Sequence, residues 1–311
     1  MPDFITSDSQ RGQIIFGTSS LRSQERVSIT ELEGLTTPSP TSQLTPAGDI
    51  NGDGLPDWIA GNTILLNPEA GIVQRKTIRA TRVTAAHELF PVGDLNDDGF
   101  SDFAYAVPPR QSTNPEIWIG FGSSEFADGT IDFQEEQSHL LRGVAIEELC
   151  RECSFGGDLN GDGIQDLLIA GRDLRGRASM VSALFGAKDL PGGQTDLTSI
   201  DSTSGFTIEG LSYGGYASMQ VAQGDFDNDG SDELAYTSSG SDLTILLTND
   251  LGGVIQESEI PAGDKLQFSY AGGLKFASVG DTTGDGIDDL LIGTSPWDIV
   301  TDHWSGRLNL L

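Results

Sequence analysis

A nine-residue loop, preceded by glycine and followed by an apolar run, occurs five times in the chain. The copies read GDINGDGLPDWIAG from Gly48, GDLNDDGFSDFAYA from Gly93, GDLNGDGIQDLLIAG from Gly157, GDFDNDGSDELAYT from Gly224 and GDTTGDGIDDLLIG from Gly280. Their first aspartates stand at positions 49, 94, 158, 225 and 281, in steps of 45, 64, 67 and 56 residues. Spacing of that size marks one supersecondary unit used repeatedly. Such a unit cannot bury its apolar face alone, so neighbours must stack to form a shared core.

Each loop places an oxygen side chain at positions 1, 3, 5 and 9, a glycine at position 6, and a backbone carbonyl at position 7. The first offers Asp49, Asn51, Asp53 and Asp57 with Leu55 at position 7; the second offers Asp94, Asn96, Asp98 and Asp102 with Phe100. The third has Asp158, Asn160, Asp162 and Asp166 with Ile164. The fourth has Asp225, Asp227, Asp229 and Glu233 with Ser231, and the fifth Asp281, Thr283, Asp285 and Asp289 with Ile287. Hard oxygen donors at alternate positions around a sharp turn suit a calcium ion, while magnesium tends to keep its waters. Asp, Asn and Gly also build turns without metal, but five loops with one donor spacing favour about five calcium sites of structural character. Helical calcium loops need an acid at position 12. Here that position is Ala60, Tyr105, Ile169, Tyr236 or Ile292, inside short apolar runs that predict strands.

These residues resemble the FG-GAP repeats of the integrin alpha-subunit N-terminal β-propeller and its bacterial surface-protein relatives. The FG element stands in IIFGTSSL (Phe16, Gly17), IGFGSSEF (Phe121, Gly122) and ALFGAKDL (Phe185, Gly186), and LTILLTN takes its place after the fourth loop. The resemblance covers nearly the whole chain. It implies an all-β propeller of four-stranded blades, seven in the parent fold, with calcium loops on one face and partners on the other. Carried onto this chain, the partner face spans 107–115, 171–178, 294–305 and the turn at Cys150–Cys153.

The strands read in sets of four, with each loop between the first and second strand of its set. FITS, QIIFG and VSITELEG form a first set lacking its first member. SQLTPAG, DWIAG, TILLN and KTIRATRV follow, then HELFPVG, DFAYAV, EIWIGFG and HLLRGV, then CSFGG, DLLIAG, MVSALFG and FTIEG. The fifth set is ASMQVAQG, ELAYTS, LTILLTN and VIQESEI, and the last is LKFASVG, DLLIGTS and GRLNLL. Repeated four-stranded units around an axis are the propeller solution to exposed strand edges. At least six blades are expected in a single domain over 1–311, with repeats from about 3, 49, 94, 158, 225 and 281. Pro2-Asp3-Phe4-Ile5 aligns with Pro56-Asp57-Trp58-Ile59, so the chain is expected to be a fragment that starts inside a further loop.

The formal charge is −30, and 16 of the 47 acidic residues are loop donors. Such a surface repels nucleic acid and anionic membranes, and no stretch reaches the roughly 20 apolar residues of a membrane helix. Cys150 and Cys153 are expected to form a local disulfide, with free thiols as the alternative. His87, His139 and His303 lie in no catalytic motif and are expected at the surface or rim; no catalytic constellation is legible. Trp58 and Trp118 fall on strand patterns and are expected in the core. Trp297, His303 and Trp304 form an amphipathic group that suits a ligand face, the alternative being that the tryptophans pack beneath their loop.

The expected function is a calcium-binding extracellular or cell-surface module for adhesion to a protein or glycan. The alternatives are the propeller part, catalytic or not, of an enzyme acting on polysaccharide or phospholipid, and a purely architectural module.

Overall fold

The computed structural model describes residues 4–7, 12–15, 34–36, 44–60, 63–66, 74–80, 89–107, 116–127, 131–133, 138–143, 153–172, 179–211, 220–237, 242–247, 250–269, 273–295, 297–298, 303–304 and 307–310. Strands dominate these residues, and the only helical pieces among them are short 3-10 turns.

The strands fall into consecutive small sheets. Strands β1 (Phe4–Ser7), β2 (Gly12–Ile15) and β3 (Gly34–Thr36) form the first. The second holds β4 (Leu44–Gly48), β5 (Asp57–Ala60), β6 (Thr63–Leu66) and β7 (Gln74–Ala80), each antiparallel to the next. The third runs through β8 (Leu89–Gly93), β9 (Asp102–Val107), β10 (Glu116–Gly120) and then, past the short β11 (Ile131–Phe133), β12 (Ser138–Arg142). The fourth is β13 (Cys153–Gly157), β14 (Asp166–Arg172) and β15 (Ser179–Leu184), then, past β16 (Gln194–Asp196), β17 (Gly205–Leu211). The fifth is β18 (Val221–Gly224), β19 (Glu233–Thr237) and β20 (Asp242–Leu246), then, past β21 (Gly253–Gln256), β22 (Lys265–Ser269). A last sheet joins β23 (Gly273–Ser278), β24 (Leu290–Ser295) and β27 (Arg307–Leu310). A two-residue ribbon of β25 (Trp297–Asp298) and β26 (His303–Trp304) lies between the second and third of these.

Four sheets thus have a complete set of antiparallel strands, and their first strands neighbour one another in order, β4 against β8, β8 against β13 and β13 against β18. The cores lie between sheets rather than inside them. On β14, Leu167 and Ile169 enter the core shared with the third sheet, whereas Leu168 enters the core shared with the fifth. On β19, Leu234 and Tyr236 point one way and Ala235 the other. Alternate side chains of one strand face opposite sides, so a strand buried on both faces must be apolar throughout. This accounts for runs such as DLLIA. The fold is an all-β, propeller-like arrangement of small antiparallel sheets.

The edges of these sheets depart from the sequence expectation. In the third, fourth and fifth sheets the connection between the third and fourth strands reaches back and pairs, in parallel, with the outer strand of the preceding sheet. β11 thus lies on β7, β16 on β12 and β21 on β17. VIQESEI was expected as the fourth strand of the fifth set. Its first part is instead this parallel strand on the fourth sheet, and KLQFS supplies the fourth strand as β22. The reading failed because β22 is largely exposed and carries no clean alternation. In the first set the strand sits at Gly34–Thr36, at the end of VSITELEG; residues 27–33 lie outside those described.

Candidate functional site

All five nonapeptides join the first and second strands of their sheets and share one hydrogen-bonding scheme. The position-1 carboxylate accepts the N–H of position 5 on Oδ1 and that of position 6 on Oδ2. In the third loop these are Asp162 to Asp158 at 3.0 Å and Gly163 to Asp158 at 2.7 Å. The same pair of bonds recurs at Asp49, Asp94, Asp225 and Asp281. The position-5 carboxylate accepts the N–H of position 7, at 2.8 Å from Ile164 to Asp162 and at 2.9–3.1 Å in the others. The position-9 carboxylate reaches back to the N–H of position 2, at 2.7–2.8 Å from Ile50, Leu95, Leu159, Phe226 and Thr282. Each loop is thereby closed before any ligand is considered.

The position-6 glycines have φ between +82° and +95°, and an added Cβ at Gly54, Gly99, Gly163 or Gly230 would meet nothing within 4 Å. Backbone conformation, not space, demands glycine there. Position 4 is left-handed too, occupied by Gly52, Asp97, Gly161, Asn228 and Gly284 with φ from +53° to +80°. These are the residue types that tolerate that region, a signal in the sequence that donor counting passes over.

Burial separates the donors. Position 9 is sealed, with Asp57, Asp102 and Asp166 at 0% exposure and Glu233 at 1%. Most of the position-1, 3 and 5 side chains are half-buried or exposed. In two of the sheets the FG element contributes to the sealing. In the third sheet the Gly122 N–H donates to Asp102 Oδ1 at 2.9 Å; in the fourth the Gly186 N–H donates to Asp166 Oδ1 at 2.8 Å. The next N–H along, of Ser123 or Ala187, donates to the carbonyl of Ile50 or Leu95 in the preceding loop. Phe121 and Phe185 are buried beside these contacts. Phe16 and Gly17 lie outside the described residues.

Successive loops are also clasped together through position 8. The N–H of Ser101 donates to the Asp49 carbonyl at 2.8 Å, that of Asp232 to the Asp158 carbonyl at 2.8 Å, and that of Asp288 to the Asp225 carbonyl at 2.9 Å. Between the second and third loops the Gln165 side chain does this work, accepting the Asp94 N–H at 2.7 Å. Sequence reasoning missed these residues because each acts on a neighbour 50 or more positions away.

Dense acidity in a sealed place shifts protonation. Burial pushes Asp102 up to about 8, against the pull of the Gly122 and Leu95 N–H groups and with a further push from Asp98 and Asp94. Burial likewise raises Asp166 and Glu233 to about 7. Folded values above the ordinary carboxylate range mean that the folded chain holds protons the unfolded chain has released. The associated stability is present near pH 4 and is lost as pH rises to about 8. In chelating buffer the chain is therefore expected to melt at higher temperature at pH 5 than at pH 8, which thermal scans at the two values check.

The donor set fits a hard cation. Two buried oxygens in it, Asn96 Oδ1 and Glu233 Oε1, accept no hydrogen bond. In the fourth loop, carboxylate oxygens of Asp225, Asp227 and Asp229 lie within 4.8 Å of one another. An unpartnered buried oxygen and converging like charges both raise the energy of the chain alone, and a cation relieves both.

The remaining sequence-derived positions fare unevenly. His139 is a correction: expected at the surface, it is buried at 4% exposure, with its ring nitrogens 2.8 Å from the Leu190 carbonyl oxygen and 3.0 Å from Thr195 Oγ1. Burial holds it below the usual histidine value, and it fastens the β16 connection to β12. Trp58 is buried as expected, and Trp118 is half-buried against the core between the second and third sheets. Cys153 begins β13, whereas Cys150, His87 and residues 108–115 and 173–178 lie outside the described residues. Trp297 stands opposite Trp304, and Asp298 opposite His303, in the β25–β26 ribbon. Among the described residues no helix is long and apolar enough to cross a membrane.

The fold and loops define an all-β, propeller-like protein with a row of acidic turns. No family model matches the chain, and no curated protein matches it.

Proposed function

We infer that the chain is a calcium-dependent propeller module of an extracellular or cell-surface protein, and that it binds a protein or glycan on the face away from its acidic loops. The observation that carries the calcium reading is the shared spacing of oxygen donors and hydrogen-bonding scheme of the five loops together with the unpartnered buried oxygens of Asn96 and Glu233. In each loop the side-chain donors at positions 1, 3, 5 and 9 and the carbonyl at position 7 would hold the ion. Calcium there would offset carboxylate repulsion and fix the turn between the first two strands. We read the two three-stranded sheets as incomplete blades, giving six or more in all, and the whole as similar to FG-GAP propellers.

The binding role rests on that architecture and on the presence of Trp297, His303 and Trp304 in the β25–β26 ribbon, residue types that suit a glycan or protein surface. Glycan and protein arrays probed with the chain in millimolar calcium are expected to give specific hits that chelator abolishes. Release of product from polysaccharide or phospholipid by the purified chain would assign it to an enzyme instead.

A further inference from the structure

We propose that the fourth loop, Asp225–Glu233, is the tightest cation site of the chain and prefers trivalent ions more strongly than its four sisters do. The proposal rests on the calcium reading above and adds which site dominates and why. Two features set this loop apart from all four sisters, and a third sets it apart from loops two and three. In loops one to three the position-3 residue is asparagine, whose Nδ2 donates to the position-5 carboxylate at 2.9–3.0 Å. In loop four that residue is Asp227, whose side chain has no N–H to give, so a second negative charge stands where the asparagine amide would be. Position 9 is glutamate, with Oε2 accepting the N–H groups of Phe226 and Asp227 while Oε1, buried, accepts nothing. Finally, the FG turn of the third and fourth sheets is missing, as it also is after loops one and five. In the third and fourth sheets FG supplies the N–H that occupies the second oxygen of position 9. In the fifth sheet the chain after β20 instead donates from Leu247 to the Asp264 carbonyl.

In the third and fourth sheets the position-9 carboxylate spends both oxygens on the backbone, whereas Glu233 in the fifth keeps one buried oxygen unpartnered and available to an ion. Four carboxylates rather than three then surround that ion, and affinity in oxygen-donor sites follows ligand charge. Higher donor charge favours higher cation charge, so terbium should gain more here than calcium does.

The test is a calorimetric titration of the whole chain with calcium and, separately, with terbium followed by its luminescence. One ion is expected to bind roughly tenfold or more tightly than the rest, with a wider gap for terbium. Asp227→Asn, which copies the donor set of the first three loops at an exposed position, should merge the tight phase with the weaker ones. Glu233→Gln should do the same. Circular dichroism of both variants in saturating calcium checks that they fold. A tight phase unchanged in both variants overturns the proposal while leaving the calcium reading intact. Binding of no ion by the parent chain overturns both.

Discussion

Stripping divalent ions with a chelator is expected to lower the melting temperature of the chain by on the order of 10–20 °C relative to buffer with about 10 mM calcium. The magnitude comes from linkage. An ion present at ten times its dissociation constant stabilises the folded state by about 1.4 kcal/mol per site, and oxygen-donor sites in extracellular modules have constants near ~0.1–1 mM. Five such sites contribute about 7 kcal/mol, comparable with the whole stability of an ordinary domain, and each kcal/mol moves the midpoint of a chain this size by roughly 2 °C or more. Each loop holds three or four carboxylate donors, and Asp102, Asp166 and Glu233 are already pushed toward neutrality by burial. Differential scanning calorimetry with calcium, with magnesium and with chelator measures the effect. Calcium should restore the midpoint and magnesium should restore little of it.

The second large effect belongs to the FG glycines. At Gly186 an added Cβ would stand 2.3 Å from the Gln165 carbonyl oxygen, 2.6 Å from Ile164 Cγ2 and 2.9 Å from the Leu95 carbonyl oxygen. Two of those atoms are backbone in two different loops, so neither loop can yield without disturbing its own donor set. Gly186→Ala is expected to destabilise the chain by about 3 kcal/mol and to weaken cation binding at the second and third loops together. Gly122→Ala meets the same situation against the Ser101 and Ile50 carbonyls, at 2.5 and 2.8 Å. Gly263→Ala is the control, since a Cβ there meets nothing within 4 Å, and its melt should match the parent. Chemical denaturation of the three variants, each with and without calcium, separates lost packing from lost ion binding.

Much of the fold was legible in the sequence because the physics was local. The nonapeptides announce themselves by donor spacing and by glycine at position 6, and the apolar runs after them are strands because both faces are buried. DFAYAV and CSFGG coincide with β9 and β13. What the sequence hid depends on neighbours in space. VIQESEI looks like an outer strand by composition, yet a parallel partner on the preceding sheet claims its first part and leaves KLQFS, poor in pattern, to complete its own sheet. His139 looks like any rim histidine until the returning β16 segment covers it. The clasping roles of Ser101, Gln165, Asp232 and Asp288 were likewise invisible, because position 8 contributes no donor to its own loop and acts on the loop before it.

The central claim is that the nonapeptides hold calcium. Its most direct test is the number of calcium ions retained per chain after equilibrium dialysis, counted by elemental analysis for the parent and for Asp158→Ala/Asp162→Ala. About five ions are expected on the parent, one for each loop, and one fewer on the double variant, which removes two donors from the third loop alone. A parent chain that retains no calcium, or a double variant that retains as many ions as the parent, would contradict it.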